Sequence, residues 1–196
     1  MSKKYLETIK AFDGKVYHLN DHQKRLDSVL AKFSSSQKYN LQTLLNPPKI
    51  GLYRCRVVYD TASIVIEYIP YVKRDIKSLK IVYSDTIEYS KKYAFRDEIN
   101  NIFRKKENCD DILIVKNGFI SDTSIANIAF FDGLEWLTPN TPLLEGTTRG
   151  RLLKESKIKA VEIRVEDMKK FKKVALMNAM IDFDIIASEN IGEIIC

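Results

Sequence analysis

The chain has 196 residues, of which 45% are hydrophobic and 30% charged, and its net charge is +6 at pH 7. A chain of this length and composition can bury a sizeable core as one domain or as two small lobes. Its lysines are spread over the whole length and no apolar run approaches the roughly 18 residues of a membrane-spanning helix, so nucleic-acid binding and membrane insertion are both disfavoured.

The amino terminus and the cysteines bear on the compartment. The first ten residues lack the apolar core of a secretory signal. Cys55, Cys109 and Cys196 are odd in number, widely spaced and without a CxxC motif. This usage predicts a reducing cytoplasm, with neither a disulfide nor a zinc site.

Residues 1–85 are predicted to form an N-terminal α+β lobe with an antiparallel sheet. Turns are expected at Asp13-Gly14 and Asp60-Thr61, and Asn20 or Asp21 is the expected cap of the first helix. The predicted elements are a hairpin at 5–19, a helix at 22–33, a short helix at 41–45, a hairpin at 50–71 and a strand at 79–83.

Residues 86–196 are predicted to form a second, β-rich lobe with helices. Asn117-Gly118 and Asp132-Gly133 are its strongest turn signals. The predicted elements are a helix at 95–105, strands at 112–115, 125–131 and 136–138, a helix at 150–157, a strand at 160–165, a short helix at 165–171, a strand at 173–177 and an apolar segment at 181–186. The two lobes together indicate an α+β protein.

Two basic positions could carry chemistry, although each also has a plainer explanation. Lys91 and Lys92 are adjacent, as ordinary surface lysines often are, but a desolvated lysine could form a Schiff base. Arg25 stands near the start of the first long helix, where it is either solvated or placed to bind a phosphate group. Spacing alone leaves these alternatives open.

Three later features also allow both a structural and a functional interpretation. Asp122 follows a turn, so it is either a turn residue or a buried acceptor for a protonated ring nitrogen. Gly146, Thr147 and Thr148 stand directly before a helical run, which suits a simple N-cap or an anion site at a helix start. Residues 174–179 read as a buried strand that ends in a turn.

Six motifs follow one another along nearly the whole chain, and together they resemble the fold-type IV pyridoxal-phosphate enzymes, or class IV aminotransferases. They are Tyr5-Leu6-Glu7-Thr8, His22-Gln23-Lys24-Arg25-Leu26, Lys92-Tyr93 with Arg96, Asp122 with Asn127, Thr138-Pro139 ahead of Gly146-Thr147-Thr148-Arg149, and Leu176-Met177-Asn178-Ala179. The resemblance implies a two-lobed α+β fold like that of D-amino-acid aminotransferase. It also implies pyridoxal 5′-phosphate (PLP) as the cofactor.

The resemblance assigns roles residue by residue. Lys92 would be the catalytic Schiff-base lysine, Arg25 the phosphate-binding arginine, and Asp122 the partner of the pyridine nitrogen, at a position where the family usually has glutamate. The implied cofactor-binding set is Arg25, Lys92, Asp122, Asn127, Gly146, Thr147, Thr148, Asn178 and Ala179. No metal ligand is expected.

The turn at residues 177–180 favours one branch of the family, the aminodeoxychorismate lyases. The expected reaction converts 4-amino-4-deoxychorismate to 4-aminobenzoate and pyruvate for folate synthesis. One alternative is an aminotransferase acting on branched-chain or D-amino acids, and another is a non-catalytic phosphate-binding relative. The resemblance further implies a cytoplasmic homodimer that acts on a small molecule, without nucleic acid or membrane as a partner.

Overall fold

The computed structural model describes residues 3–33, 37–186 and 191–195 and divides into two compact units. The first unit contains the chain up to residue 73 together with residues 91–95, and the second contains residues 74–90 and the chain from residue 96 onward. Both units combine strands with helices, which confirms the α+β class. The single predicted boundary near residue 85 thus differs from the observed division, in which a short later segment returns to the first unit.

An antiparallel sheet of four strands with two helices makes up the first unit. The order across the sheet is β2-β1-β3-β4. The elements are β1 (Tyr5–Phe12), β2 (Lys15–Val16), α1 (Leu19–Ala31), α2 (Leu41–Leu44), β3 (Leu52–Tyr59) and β4 (Ile64–Pro70). Alternate residues of β1 and β3 face a core that also contains Leu26 and Leu30 of α1.

Near the amino terminus the predicted turn is confirmed, whereas the predicted start and cap of the first helix are wrong. Asp13 and Gly14 have φ angles of 48° and 76°, as a tight hairpin turn requires. Helix α1 begins at Leu19, earlier than the predicted residue 22, and its N-cap is His18 in the left-handed conformation without a side-chain capping bond. The cap predicted at Asn20 or Asp21 is therefore wrong, because both residues already lie within the helix.

Residues 91–95 complete the first unit by joining the edge of β1 that β3 leaves open. The N–H of Leu6 donates to the carbonyl of Lys92 at 2.8 Å, and the N–H of Ala94 donates to the carbonyl of Lys4 at 2.9 Å. Tyr5 and Tyr93 form the antiparallel bridge between these two bonds. The backbone at Lys92 is thereby fixed to the strand that carries Glu7.

The second unit is organised by a larger, mixed sheet in the order β10-β9-β8-β7-β6-β5, with β11 paired to β8 and to β12. Its strands are β5 (Leu79–Tyr83), β6 (Asp111–Lys116), β7 (Phe119–Thr123), β8 (Asn127–Phe131), β9 (Trp136–Pro139), β10 (Lys159–Val161), β11 (Lys173–Asn178) and β12 (Asp182–Ile185). Its α-helices are α3 (Asp97–Phe103), α4 (Thr147–Lys154) and α5 (Ile191–Ile194). Residues 165–170, predicted as a short helix, form 3₁₀ turns.

Several elements of this unit differ from their prediction: β7 was not predicted as a strand, and α3 is shorter than the predicted helix at 95–105. Strand β5, expected in the N-terminal lobe, pairs in parallel with β6. Helix α4 begins at Thr147 instead of residue 150, because Gly146 is the N-cap and the exposed Gly150 is accommodated within the helix. The turn at Asn117-Gly118 forms as predicted, with φ angles of 52° and 80°.

The state of two cysteines and the lengths of the helices bear on the predicted absence of disulfides and of membrane-spanning segments. Cys55 is a buried free thiol, whereas Cys109 is disulfide-bonded, so the prediction that no disulfide forms is wrong. In the part of the chain that the structure describes, none of the helices has the length and apolarity that crossing a bilayer requires.

Candidate functional site

Arg25 is held by a buried carboxylate in the first unit. Its Nε and Nη2 groups donate hydrogen bonds of 2.7 and 2.6 Å to the two carboxylate oxygens of Glu7. Nδ1 of His22 lies 2.6 Å from Oε2 of the same carboxylate. Glu7 faces inward through the alternation of β1, while His22 and Arg25 are three residues apart on one face of α1. The sequence brings the three side chains together by these two periodicities.

The ionisation of Glu7 follows from its partners. Burial raises the pKa of its carboxyl group, but the charge of Arg25 and the hydrogen bonds from His22 and Arg25 outweigh burial and hold that pKa below its ordinary value. Glu7 is therefore a carboxylate at neutral pH. Because a carboxylate only accepts hydrogen bonds, Nδ1 of His22 is the donor in this pair.

The two adjacent lysines have different surroundings. Nζ of Lys91 lies 5.2 Å from the ring centroid of Phe33 and 5.9 Å from that of Tyr5, a cation–π arrangement. Lys92 is half-buried, and its backbone carbonyl accepts the hydrogen bond from Leu6. Since the ammonium group of Lys91 is directed at aromatic rings, Lys92 is the better candidate for a Schiff-base lysine.

Asp122, in the second unit, is a buried carboxylate near the end of β7. Its Oδ1 accepts a hydrogen bond of 2.7 Å from Nδ2 of Asn127, and its Oδ2 accepts one of 3.0 Å from the N–H of Leu144. Asp122 and Asn127 are directly opposed in the pairing of β7 with β8. Nδ2 of Asn127 also donates to the carbonyl of Leu144 at 2.9 Å. The carboxylate and the amide together clamp the loop that leads to α4.

Burial dominates the ionisation of Asp122. It raises the pKa of the carboxyl group to about 6, against the opposing effect of the hydrogen bonds from Asn127 and Leu144. A carboxylate has about four acceptor positions. Donors from Asn127, Leu143 and Leu144 therefore leave capacity for one more. Asp122 thus combines a perturbed pKa with residual acceptor capacity.

Gly146 is required by its close approach to Asn127. A Cβ atom at this position would lie 2.0 Å from Oδ1 of Asn127, far inside van der Waals contact. The backbone of Gly146 is extended, with φ −68° and ψ 142°, so steric space alone demands glycine here. The clamp around Asn127 therefore fixes the position at which α4 begins.

The start of α4 has the properties of an anion site. Thr147 and Thr148 are its first two residues, and the first intrahelical bond runs from the N–H of Gly150 to the carbonyl of Gly146 at 2.9 Å. The leading N–H groups of a helix have no acceptor within it, and the helix dipole favours negative charge there. Arg149 reinforces this loop, donating 2.8 Å hydrogen bonds to the carboxylate of Glu145 and the carbonyl of Pro139.

Asn178 shapes the turn after β11. Its Oδ1 accepts hydrogen bonds from the N–H groups of Met180 and Ile181 at 2.9 and 3.1 Å, and its Nδ2 donates to the carbonyl of Ile125 at 3.3 Å. Ala179 follows at a half-buried position. Asn178 thereby connects this turn to the β7–β8 turn that separates Asp122 from Asn127.

The structure groups the predicted site residues by unit. The first unit contains Arg25 and Lys92, both attached to β1, through Glu7 and Leu6 respectively. The second unit contains Asp122, Asn127, Gly146, Thr147, Thr148, Asn178 and Ala179, gathered around the β7–β8 turn and the start of α4. Across residues 3–33, 37–186 and 191–195, no three His, Cys, Asp or Glu side chains are grouped as a metal site would need.

Sequence reasoning did not assign roles to Glu7 and His22. Both stand in motifs noted above, but only the structure reveals that they form one ion-paired group with Arg25. A signal was present. A glutamate at an inward-facing strand position requires a buried cationic partner, and Arg25 shares a helix face with a histidine.

Comparison with known proteins places these residues in a family context. Residues 92–188 match the family model of amino-transferase class IV, a pyridoxal-phosphate-dependent family. An uncharacterised protein of Haemophilus influenzae is 38% identical over 180 residues, a match that covers 89% of this chain and 96% of the relative.

Solved structures give the same result for the fold. A proposed 4-amino-4-deoxychorismate lyase from Haemophilus somnus aligns with a TM-score of 0.82 and 35% identity, over 92% of this chain and 97% of that one. The PLP-bound form of a hypothetical aminotransferase from Mycobacterium tuberculosis aligns with a TM-score of 0.76 and 16% identity, over 93% and 80% of the two chains. At such low identity the second likeness concerns the fold alone.

Proposed function

This chain belongs to the class IV aminotransferase family, and from that premise we propose that it is a PLP-dependent lyase that converts 4-amino-4-deoxychorismate to 4-aminobenzoate and pyruvate. The observation that carries the choice of reaction is the 35% identity with the proposed lyase from Haemophilus somnus over almost the full length of both chains. Membership of an enzyme family supports an enzyme over the alternative of a non-catalytic phosphate-binding protein.

The chemistry of the side chains fits the cofactor. A phosphate group suits a guanidinium fixed by Glu7 and a helix start that bears two hydroxyl residues, and a Cβ on Gly146 would disrupt the loop that forms that start. A pyridine nitrogen suits a buried carboxylate with remaining acceptor capacity. An aldehyde suits a half-buried lysine. These features support the proposal.

In the proposed enzyme each residue has a defined task. Arg25, Thr147 and Thr148 bind the phosphate, and Asp122 accepts the hydrogen of the ring nitrogen and favours its protonated form. Gly146, Asn127, Asn178 and Ala179 shape the surrounding backbone. Lys92 holds the cofactor covalently at rest. When bound, PLP supplies the electron sink for bond cleavage beside the substrate amine.

The released amine of Lys92 then moves the proton that decides the product. In the lyase reaction Nζ would take the proton from the carbon that bears the substrate amine, and the bond between the ring and the ether oxygen of the three-carbon enol fragment would break. Nζ would then donate the proton to the methylene carbon of that fragment, which leaves as pyruvate. In an aminotransferase, which is the second candidate, Nζ would carry the proton from the substrate Cα to C4′ of the cofactor. The same residues serve both reactions, and the family match is to an aminotransferase model.

The first test concerns the cofactor and its lysine. We expect the purified protein to be yellow with PLP. Borohydride reduction should then leave the pyridoxyl group as a covalent label on the peptide that contains Lys92. Lys92→Ala should abolish this label, whereas the neighbouring Lys91→Ala should keep it. A colourless wild-type protein that takes up no PLP would refute both enzymatic candidates, and labelling that survives in Lys92→Ala would refute the assignment of the lysine.

The second test separates the two reactions. We expect 4-aminobenzoate and pyruvate in equal amounts from 4-amino-4-deoxychorismate, and negligible keto acid from a panel of L- and D-amino acids with a keto-acid acceptor. Transamination in the absence of lyase turnover would reject the first choice in favour of the second. The Lys92→Ala variant is the negative control for both assays.

We also propose that the enzyme acts on this small-molecule substrate as a cytoplasmic homodimer. The support is the resemblance to a family whose members usually pair. Sedimentation velocity of the full chain should give twice the monomer mass of 22.7 kDa. A monomer that is fully active would contradict the dimeric proposal without affecting the assignment of the reaction.

A further inference from the structure

We infer that Glu7 is a positioning residue that fixes the Arg25 guanidinium for the cofactor phosphate, with His22 as its support. This inference rests on the proposed function, since it concerns the same PLP site. It extends that function to two residues of the first unit whose place in the site comes from geometry alone. Glu7 acts through Arg25 and needs no contact with the cofactor.

The geometry of the pair is that of a fixed guanidinium. Glu7 takes the Nε and Nη2 hydrogens in a bidentate contact at 2.7 and 2.6 Å, the strongest form of arginine–carboxylate pairing. Glu7 thus takes the side of the guanidinium formed by Nε and Nη2, and the adjacent edge of the plane is formed by Nη1 and the second Nη2 hydrogen. That edge is itself a planar fork suited to two phosphate oxygens.

The burial of Glu7, His22 and Arg25 distinguishes their contacts from an ordinary surface ion pair. The side chain of Glu7 is 1% exposed, and that of Arg25 is 17% exposed. His22, also 1% exposed, donates from Nδ1 to Oε2 of Glu7 at 2.6 Å and so restrains the carboxylate from a third direction. A surface ion pair would leave the arginine free to sample many rotamers, whereas this one restricts it before any ligand arrives.

Preorganisation gives the arrangement its energetic value. An unrestrained arginine loses rotamer entropy when it is immobilised. Glu7 and His22 impose that loss during folding, so phosphate binding does not repeat it. The hydrogen-bond donors of Arg25 are then held in one orientation.

A simple charge argument predicts the opposite effect of removing Glu7. Its carboxylate is negative, as is the phosphate, so a purely electrostatic view expects Glu7→Gln to strengthen cofactor binding. A purely structural view expects Glu7→Gln to weaken every ligand of the site to the same extent. Positioning predicts a loss confined to ligands that carry the phosphate. The three views are thus distinguishable by experiment.

The test compares PLP with pyridoxal, which lacks only the phosphate group. Dissociation constants of both compounds are measured by absorbance titration of the cofactor-free full chain, for the wild type and Glu7→Gln. Glu67→Gln is the matched control, because Glu67 forms a 2.6 Å pair with Arg56 on the same sheet but is 51% exposed. His22→Phe and His22→Asn form a second pair, in which asparagine retains a side-chain donor.

Hydrogen bonds between charged groups contribute enough to predict the size of the effect. We expect Glu7→Gln to raise the dissociation constant for PLP by about tenfold to a hundredfold, and that for pyridoxal by less than about twofold. Glu67→Gln should change neither. His22→Phe should reproduce part of the loss for PLP, and His22→Asn should restore it. If Glu7→Gln does not fold, the two His22 variants test the positioning role in its place.

Other outcomes would overturn the inference. Equal losses for PLP and pyridoxal would make Glu7 merely structural, and tighter PLP binding by Glu7→Gln would make it an electrostatic opponent of the phosphate. Similar affinity of the wild type for the two compounds would exclude a phosphate site while leaving PLP chemistry intact. A wild type that binds neither compound would instead refute the proposed function, and this inference with it.

Discussion

Nδ2 of Asn127 lies 2.7 Å from Oδ1 of Asp122, and one hydrogen bond thus joins two strand residues that are directly opposed across β7 and β8. The same nitrogen donates to the carbonyl of Leu144. Because Leu144 also donates its N–H to Asp122, the three groups form a closed ring of hydrogen bonds. This ring attaches the loop before α4 to the sheet.

Asn127→Ala should lower the free energy of unfolding of the second unit by about 2–4 kcal/mol, because it leaves the buried carboxylate of Asp122 and the partly buried carbonyl of Leu144 without their donor. Trp136 is the only tryptophan and packs in this unit against Phe131 and Phe183, so its fluorescence in a urea titration reports the change. The exposed Asn140 supplies the control, and Asn140→Ala should change stability by less than about 0.5 kcal/mol. Equal effects of both substitutions would show that the ring adds nothing.

Gly146→Ala and Gly150→Ala should act in opposite directions. The added methyl group of Gly146→Ala would meet Oδ1 of Asn127 at 2.0 Å, so the loop must shift, with a loss of about 1–3 kcal/mol. At Gly150, on the exposed side of α4, nothing lies within 4 Å of a new Cβ, and alanine should add about 0.5–1 kcal/mol. Thermal unfolding of the two variants checks this, and a stable Gly146→Ala protein would contradict the steric argument.

The stability of the second unit should carry a pH signature from Asp122. Its pKa of about 6 in the folded chain exceeds the ordinary 3.8, so between these values the folded state binds a proton that the unfolded state has released. The free energy of unfolding therefore falls as the pH rises from about 4 through 6, by about 3 kcal/mol from this group.

Asp122→Asn should remove that part of the pH dependence. The difference between variant and wild type, followed by Trp136 fluorescence in urea at several pH values, isolates Asp122 from the other acids. The pKa of Asp111 is also raised by burial, and its contribution is present in both proteins and therefore cancels in the difference. Parallel pH profiles for the two proteins would mean that Asp122 titrates normally.

Asn178→Ala and Asn178→Asp should separate the two roles of this side chain. Aspartate keeps the oxygen that accepts from Met180 and Ile181 but loses the donor to Ile125, whereas alanine loses all three bonds. We expect a loss of about 1–2 kcal/mol for alanine and a smaller one for aspartate, from the usual value of exchanged hydrogen bonds. Thermal unfolding measures both, and equal losses for the two variants would assign the main role to the Ile125 contact.

Local signals in the sequence predict much of this fold. Asn117-Gly118 and Asp13-Gly14 form their turns because few other residue pairs accept two positive φ angles in succession. The strands at 173–177 and 136–138 were also predictable, since their apolar runs are short and bounded by turn residues. Element ends were less predictable. Helix α4 begins three residues early because Thr147 and Thr148 tolerate the first turn and Gly146 provides the N-cap.

Features that depend on distant partners could not be predicted in this way. Strand β5 has the composition of any buried strand, and only its pairing with β6 assigns it to the second unit. The motif predicts a role for Asp122 but not the ring of hydrogen bonds that it joins. The reason is that Leu144 is distant in sequence and takes part through its backbone, which no residue type identifies. Likewise, Arg25 was expected to meet a phosphate, whereas the contact the structure adds is with Glu7. The roles of these residues toward a cofactor stay predictions.

The pairing of residues 91–95 with the edge of β1 has a consequence for how this protein is made. A fragment cut after Lys73 retains every helix and strand of the first unit but leaves the backbone of Lys4–Leu6 uncovered, and bare strand edges recruit other chains. During translation, that edge stays open until residue 95 has left the ribosome, by which time β5 of the second unit has already been synthesised. Maturation of the amino-terminal half therefore waits for the chain that follows it.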